Sequence, residues 1–216
     1  MLCYTNLHYK KIKMEQTFDK LLKGYIEFRK KYASCDNSIM QQLSYNGQKP
    51  EIMIVSCSDS RVDPSLILQC NPGDIFITRN VANIVPPYEK DKSYHGTSAA
   101  LEFGIRYLQV KHLILLGHSQ CGGIQALINK EDEIYSDFIS KWVSIIKFDK
   151  QNVQGNVDFA AKLALNESYK NCFSFPWISN KVNEKKLKIH KWFFNIKFGE
   201  ILSYCEEEKD YIPLLS

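Results

Sequence analysis

Residues 111–128 read KHLILLGHSQCGGIQALI. The apolar stretch after Lys111 is too short for a helix and ends at a glycine, a histidine and a serine, so it reads as a buried strand. From Cys121 the pattern changes, and CGGIQALI opens a helix. A strand feeding directly into a helix is the joint from which α/β folds are built.

The same grammar extends outward. EIMIVSC (51–57) and DIFITRNV (74–81) are short apolar runs rich in β-branched residues, bounded by NPGD and VPP. With 111–119 they make three expected buried strands of a parallel sheet. Between the second and third lies GTSAALEFGIRYLQ, where Thr97 or Ser98 can cap a helix whose Leu101, Ile105 and Leu108 face one way. Leu21, Tyr25 and Phe28, flanked by Leu22 and Tyr32, put an amphipathic helix over Gln16–Lys31, closed by Gly47 and Pro50. Phe138, Trp142, Ile145 and Ile146 mark another helix, and KLKIHKWFFNIKFGEILSY reads as two strands turning at Phe198–Gly199. The expected fold class is α/β: a mostly parallel sheet core flanked by helices, with an N-terminal helical arm. Residues 14–216 are expected to form one domain. Residues 1–13, ahead of Met14, are expected to be a disordered extension or to precede the true start.

The chain has 216 residues, 44% hydrophobic and 24% charged, as in ordinary globular proteins. Its 28 basic and 24 acidic residues leave a formal charge of +4, too slight for a nucleic-acid footprint. The basic cluster from Lys181 to Lys191 is expected to be a solvated face. No apolar run reaches the roughly 18 residues of a membrane span, and the start lacks the apolar centre of a signal peptide. Seven cysteines, an odd number at irregular spacing, fit a reducing compartment such as the cytoplasm better than a disulfide framework.

Two motifs carry chemistry. IVSCSDSRVDP (54–64) sets Cys57, Asp59 and Arg61 at the end of the first strand, and LGHSQCGG sets His118 and Cys121 at the end of the third. In a parallel sheet the carboxyl ends of neighbouring strands share one rim, where ligands usually bind. Two thiols and an imidazole there can hold zinc tetrahedrally with a fourth position open, as catalytic zinc sites do. The alternative is a cysteine nucleophile with His118 as its base, which leaves the second thiol without a task. Gly122–Gly123 would allow a tight turn and bring backbone N–H groups at the helix start close to the site. His112 reads as structural or surface-exposed, and His95 as a loop or rim residue.

These motifs, with PGDIFITRNVANIVPP, HGTSAALEF, FPWI and IHKWFF in order, resemble the β-class carbonic anhydrases over roughly residues 17–205. The resemblance implies one Zn2+ per chain held by Cys57, His118 and Cys121, with Asp59 and Arg61 as a catalytic dyad. The implied activity is reversible hydration of carbon dioxide to bicarbonate and a proton by zinc-bound hydroxide. Pocket positions matching the family are Gln48, Phe76, Val81, Phe103 and Gly122. The resemblance also implies a homodimer, or a tetramer made of two such dimers, with Gln48 and Phe76 contributed by the partner chain and the N-terminal helix lying across it. Phe103 stands where some relatives carry tyrosine, and Lys191 where glycine is common. Ile54 replaces the tryptophan of the branch in which Asp59 becomes a fourth zinc ligand in a closed state, so Asp59 is expected on Arg61. Two other readings share these residues: a carbon disulfide or carbonyl sulfide hydrolase, and a zinc-stabilised interaction protein without turnover.

Overall fold

The computed structural model describes residues 16–91, 93–129, 137–148, 153 and 155–215. The expectation for residues 1–13 lies outside them. The chain forms two compact units that meet at Gly47 and Gln48. The first holds two helices, α1 (Gln16–Tyr32) and α2 (Ile39–Asn46). The side chain of Ser38 caps α2, and Gly47, at φ +71°, ends it in a conformation that side chains other than glycine rarely adopt. On α1, Phe18, Leu21, Tyr25 and Phe28 are exposed, leaving the apolar stripe of this helix open.

The second unit is built on one sheet of six strands in the order β2-β1-β3-β4-β5-β6. These are β1 (Ile52–Cys57), β2 (Ile75–Asn80), β3 (His112–His118), β4 (Lys188–Asn195), β5 (Glu200–Cys205) and β6 (Asp210–Pro213). The first four pair in parallel and the last two join antiparallel. β1 and β3 are covered on both faces, as their unbroken apolar runs require. β2 was expected to be equally buried. It is half-buried along its whole length, because it is an edge strand with a neighbour on one side only.

Helices fill the connections: α3 (Pro64–Ile67), α4 (Gly96–Glu102), α5 (Gly122–Asn129), α6 (Ile139–Val143), α7 (Val157–Cys172) and α8 (Pro176–Asn183). α4 starts at Gly96 behind His95, with no side-chain cap, so neither Thr97 nor Ser98 plays the expected part. Thr97 Oγ1 instead accepts a hydrogen bond from Asn80 Nδ2 at 3.1 Å. α4 runs on into a π-helical turn, Phe103–Tyr107. α6 is shorter than expected: Phe138 precedes it, and Ile145 and Ile146 follow it.

α7 lays Ala160, Ala161, Ala164 and Leu165 into the core. It comes so close to β3 that a Cβ on Gly117 would sit 2.8 Å from Leu165 Cδ1. The basic cluster is only partly the solvated face expected of it. Lys181 reaches inward to the carbonyl of Ile105 at 2.6 Å. Lys191 is 9% exposed, with Nζ 3.3 Å above the ring of Tyr204, where the π face offsets part of the desolvation of the ammonium.

Candidate metal centre

β1 and β3 are hydrogen-bonded neighbours with Ser56 opposite Leu116, so Cys57 and His118 emerge together at the carboxyl rim of the sheet. From His118 the chain reaches Cys121 in three steps, and each step is fixed. Ser119 N–H donates to the carbonyl of Phe194 at 3.0 Å, and Ser119 Oγ accepts from Ile196 N–H at 3.0 Å. Gln120, with φ +52°, takes the left-handed turn, and its N–H donates to Asp158 Oδ1 at 2.7 Å. Cys121 follows immediately before α5.

The tight turn therefore falls on Gln120, not on the two glycines as expected. Gly122 and Gly123 form the first turn of α5. Gly123 is small for another reason: a Cβ there would lie 2.7 Å from Val81 Cγ1 and 3.0 Å from Ala82 Cβ.

The sulfurs of Cys57 and Cys121 stand 3.9 Å apart, and these two atoms and a ring nitrogen of His118 all lie within 4.8 Å of one another. All three residues are at most 4% exposed. Two thiolates at about 2.3 Å from a tetrahedral zinc ion would be separated by about 3.8 Å, so the spacing fits such an ion. His118 Nδ1 lies 2.9 Å from the carbonyl of Ser119, and a carbonyl only accepts, so Nδ1 carries the proton. Nε2 is then a bare lone pair, buried with no hydrogen-bond partner. Such an orphan is costly unless something binds it.

The thiols tell the same story. A hydrogen bond from Cys121 lowers the pKa of Cys57, and that same bond, followed by burial, raises the pKa of Cys121. One thiol ionises readily and its charge opposes the second. A divalent cation between them removes that opposition. The backbone N–H groups of Ile124 and Gly123, at the start of α5, also favour the thiolate of Cys121.

Asp59 and Arg61 flank the cluster. Arg61 Nε donates to Asp59 Oδ1 at 3.0 Å and Nη2 to Oδ2 at 2.7 Å, a two-point fork. This holds the Asp59 carboxyl well below the usual carboxylate range. Nη2 also reaches the carbonyl of Gln120 at 3.1 Å, tying the loop after β1 to the loop after β3.

The other expected site residues divide into two groups. Val81, beside Gly123, and Gly122, next to Cys121, belong to the rim. Phe76 lies four residues before the rim on β2, about 13 Å away along the strand, where its ring packs on Phe103 with centroids 5.7 Å apart. Gln48 is exposed ahead of β1. Within one chain, Gln48, Phe76 and Phe103 are not brought to the donor cluster. His95 bonds Asp91 through Nε2 at 2.6 Å, and His112 bonds His190, ring nitrogen to ring nitrogen, at 3.0 Å.

The sequence reading passed over Arg79, Ser119 and Asp158. Arg79 had a signal, a charge inside the apolar run IFITRN.

Residues 52–201 match the family described as carbonic anhydrase. The chain is 38% identical over 188 residues to chloroplastic β carbonic anhydrase 5 of Arabidopsis thaliana, a match covering 82% of this chain and 62% of that protein. The chain belongs to the β-class carbonic anhydrases. A carbonic anhydrase of Synechocystis is 31% identical over 203 residues, covering 89% of this chain and 73% of the other. Among solved structures, the β-carbonic anhydrase CcaA superposes with a TM-score of 0.81 at 30% identity, covering 94% of both chains. A tetrameric β-carbonic anhydrase of Sordaria macrospora superposes with a TM-score of 0.76 at 31% identity, covering 88% of this chain and 97% of that one. The α/β architecture described above is thus that of the β-class carbonic anhydrases.

Proposed function

We propose that this chain is a zinc-dependent carbonic anhydrase interconverting carbon dioxide and bicarbonate, with Cys57, His118 and Cys121 holding one zinc ion. The observation that carries the reading is the bare, buried Nε2 of His118 beside two thiols, with the Asp59–Arg61 fork next to them. When bound, zinc supplies the Lewis acidity that makes water a nucleophile at neutral pH. The protein's own groups do the rest. Asp59, kept ionised by Arg61, can only accept a hydrogen bond, so it would accept one from the attacking oxygen species and orient it with a lone pair facing the substrate. Arg61 spends both faces of its fork on this carboxylate and so keeps it from turning toward the metal.

The functional unit is a homodimer, or a tetramer built from dimers as in the Sordaria relative. In that arrangement Gln48, Phe76 and Phe103 reach the pocket of the partner chain, and the open stripe of α1 is covered. The six free cysteines of the described residues fit a reducing compartment. The cytoplasm is one. The chloroplast in which the Arabidopsis relative's name places it is another.

The test is stopped-flow hydration of carbon dioxide together with zinc analysis of the purified chain. Carbon disulfide hydrolysis is measured in parallel. One zinc per chain with hydration and no carbon disulfide turnover is expected. Carbon disulfide turnover without hydration would overturn the choice of substrate, and a zinc-free active chain would overturn the metal site.

A further inference from the structure

Arg79 sits on β2 opposite Ser56, beside the end of β1 at Cys57 and the loop that carries Asp59. Its guanidinium makes three directed bonds: Nε to the carbonyl of Cys57 at 2.9 Å, Nη2 to the carbonyl of Asp59 at 2.8 Å, and Nη1 to Asp63 Oδ2 at 2.8 Å. Ser58 N–H still bonds the carbonyl of Asn80 at 2.9 Å, and there the chain leaves the sheet. Just past the last strand residue, where ladder bonds no longer set the backbone, the rigid fork of Arg79 grips the carbonyls on either side of Ser58. The carbonyl of Asp59 also closes a turn with the N–H of Val62 at 3.1 Å. The other oxygen of Asp63 caps α3 through the N–H groups of Ser65 and Leu66, so the third arm of the guanidinium is anchored to a helix start.

We infer that Arg79 is a positioning residue that sets the distance between the Cys57 thiolate and the Asp59 carboxylate. It acts through their backbone and makes no hydrogen bond to any of the three donor atoms. The inference rests on the function proposed above. It explains a feature that side-chain contacts alone leave open: Cys57 ends β1 and Asp59 lies in the irregular segment just beyond it, yet the metal and the carboxylate need a fixed separation. A planar guanidinium can span two carbonyls at once. An ammonium, a single point on a flexible stem, cannot.

Three variants of the zinc-loaded enzyme test this. Arg79→Lys keeps the charge facing Asp63 and loses the two-carbonyl grip, and Arg79→Gln keeps one donor and no charge. For both, kcat is expected to fall about 10- to 100-fold with KM within about twofold. Zinc loss to a chelator is expected to speed up by a factor of the same size, about the cost of disturbing groups that support metal ligands. Asp63→Asn keeps the cap through its one oxygen but loses the charge and the second oxygen that accepts from Nη1, leaving only the two-carbonyl grip, and is expected to retain kcat and the zinc-release rate within about twofold. Two results would overturn the inference: Arg79→Lys behaving as the parent enzyme in both readouts, or Asp63→Asn losing as much as Arg79→Lys, which would make the ion pair the active element. A parent chain with neither zinc nor hydration would overturn the proposed function and this inference with it.

Discussion

The proton on Nδ1 of His118 is held by the carbonyl of Ser119, 2.9 Å away, and this single bond leaves Nε2 as the ring nitrogen free to bind a metal. Ser119 is in turn fixed by the end of β4 and by Ile196. The tautomer is therefore a property of the sheet and not of the ring alone.

Cys121→Ser is expected to reduce bound zinc from one per chain to a small fraction and to lower hydration by more than about 100-fold, beyond the usual cost of disturbing a supporting residue. A serine hydroxyl at neutral pH carries no charge to give the ion. Metal analysis beside stopped-flow rates checks this. A serine variant that kept one zinc and full activity would remove Cys121 from the site.

The two glycines of α5 are expected to separate in their response to alanine. Gly123→Ala drives a Cβ to 2.7 Å from Val81 Cγ1, an overpacking that typically costs about 1–3 kcal/mol. Gly122→Ala meets nothing within 4 Å and stands at the first position of the helix, so it is expected to leave stability within about 0.5 kcal/mol. Paired denaturant titrations give the comparison, and equal effects would contradict the packing described here.

Much of this was legible in the chain. β1 and β3 and their motifs were readable because fully buried strands have no choice of pattern, and because Cys57 and His118 end them. α7 was not readable. Its buried face is made largely of Ala160, Ala161 and Ala164, which carry little hydrophobic contrast, and its docking depends on the missing side chain of Gly117, far away in sequence. The turn at Gln120 was misplaced onto the glycines for a related reason. Glycine usually marks a left-handed residue, but here Asp158 fixes the backbone of Gln120, a contact visible only in three dimensions.

Acid stability is expected to depend on His190. Burial first, then the charges of His112 and Lys188, lower its pKa to about 4. The ring centroids of His190 and His112 are 5.2 Å apart with the nitrogens at 3.0 Å, so the two rings are joined nitrogen to nitrogen by one hydrogen bond. The unfolded chain binds a proton on this histidine more readily than the folded one does. Stability is thus full above about pH 6.5, falls as the pH drops toward 4, and levels off below that. His190→Gln is expected to flatten this acid slope, worth a few degrees in Tm. Melting curves from pH 8 to 4 decide it, and an unchanged slope would refute it.

The exposed stripe of α1 is expected to be an assembly surface. If the proposed dimer forms through this stripe, Leu21→Glu with Phe28→Glu gives a monomer at micromolar concentration and lowers hydration at least tenfold, since Gln48, Phe76 and Phe103 would then have no pocket to complete. Light scattering beside the rate assay checks both parts. An active monomer would contradict them.

β1 and β3 each have a strand on either side, and they are the strands that carry Cys57 and His118. Their amides can exchange with heavy water only when the middle of the sheet comes apart, which makes them the slowest-exchanging class in a protein of this kind. A chelator competing for the proposed ion would therefore find Cys57 and His118 on strands that do not open piecemeal. The loops that follow those strands, one of which carries Cys121, would be the part of the cage that yields first.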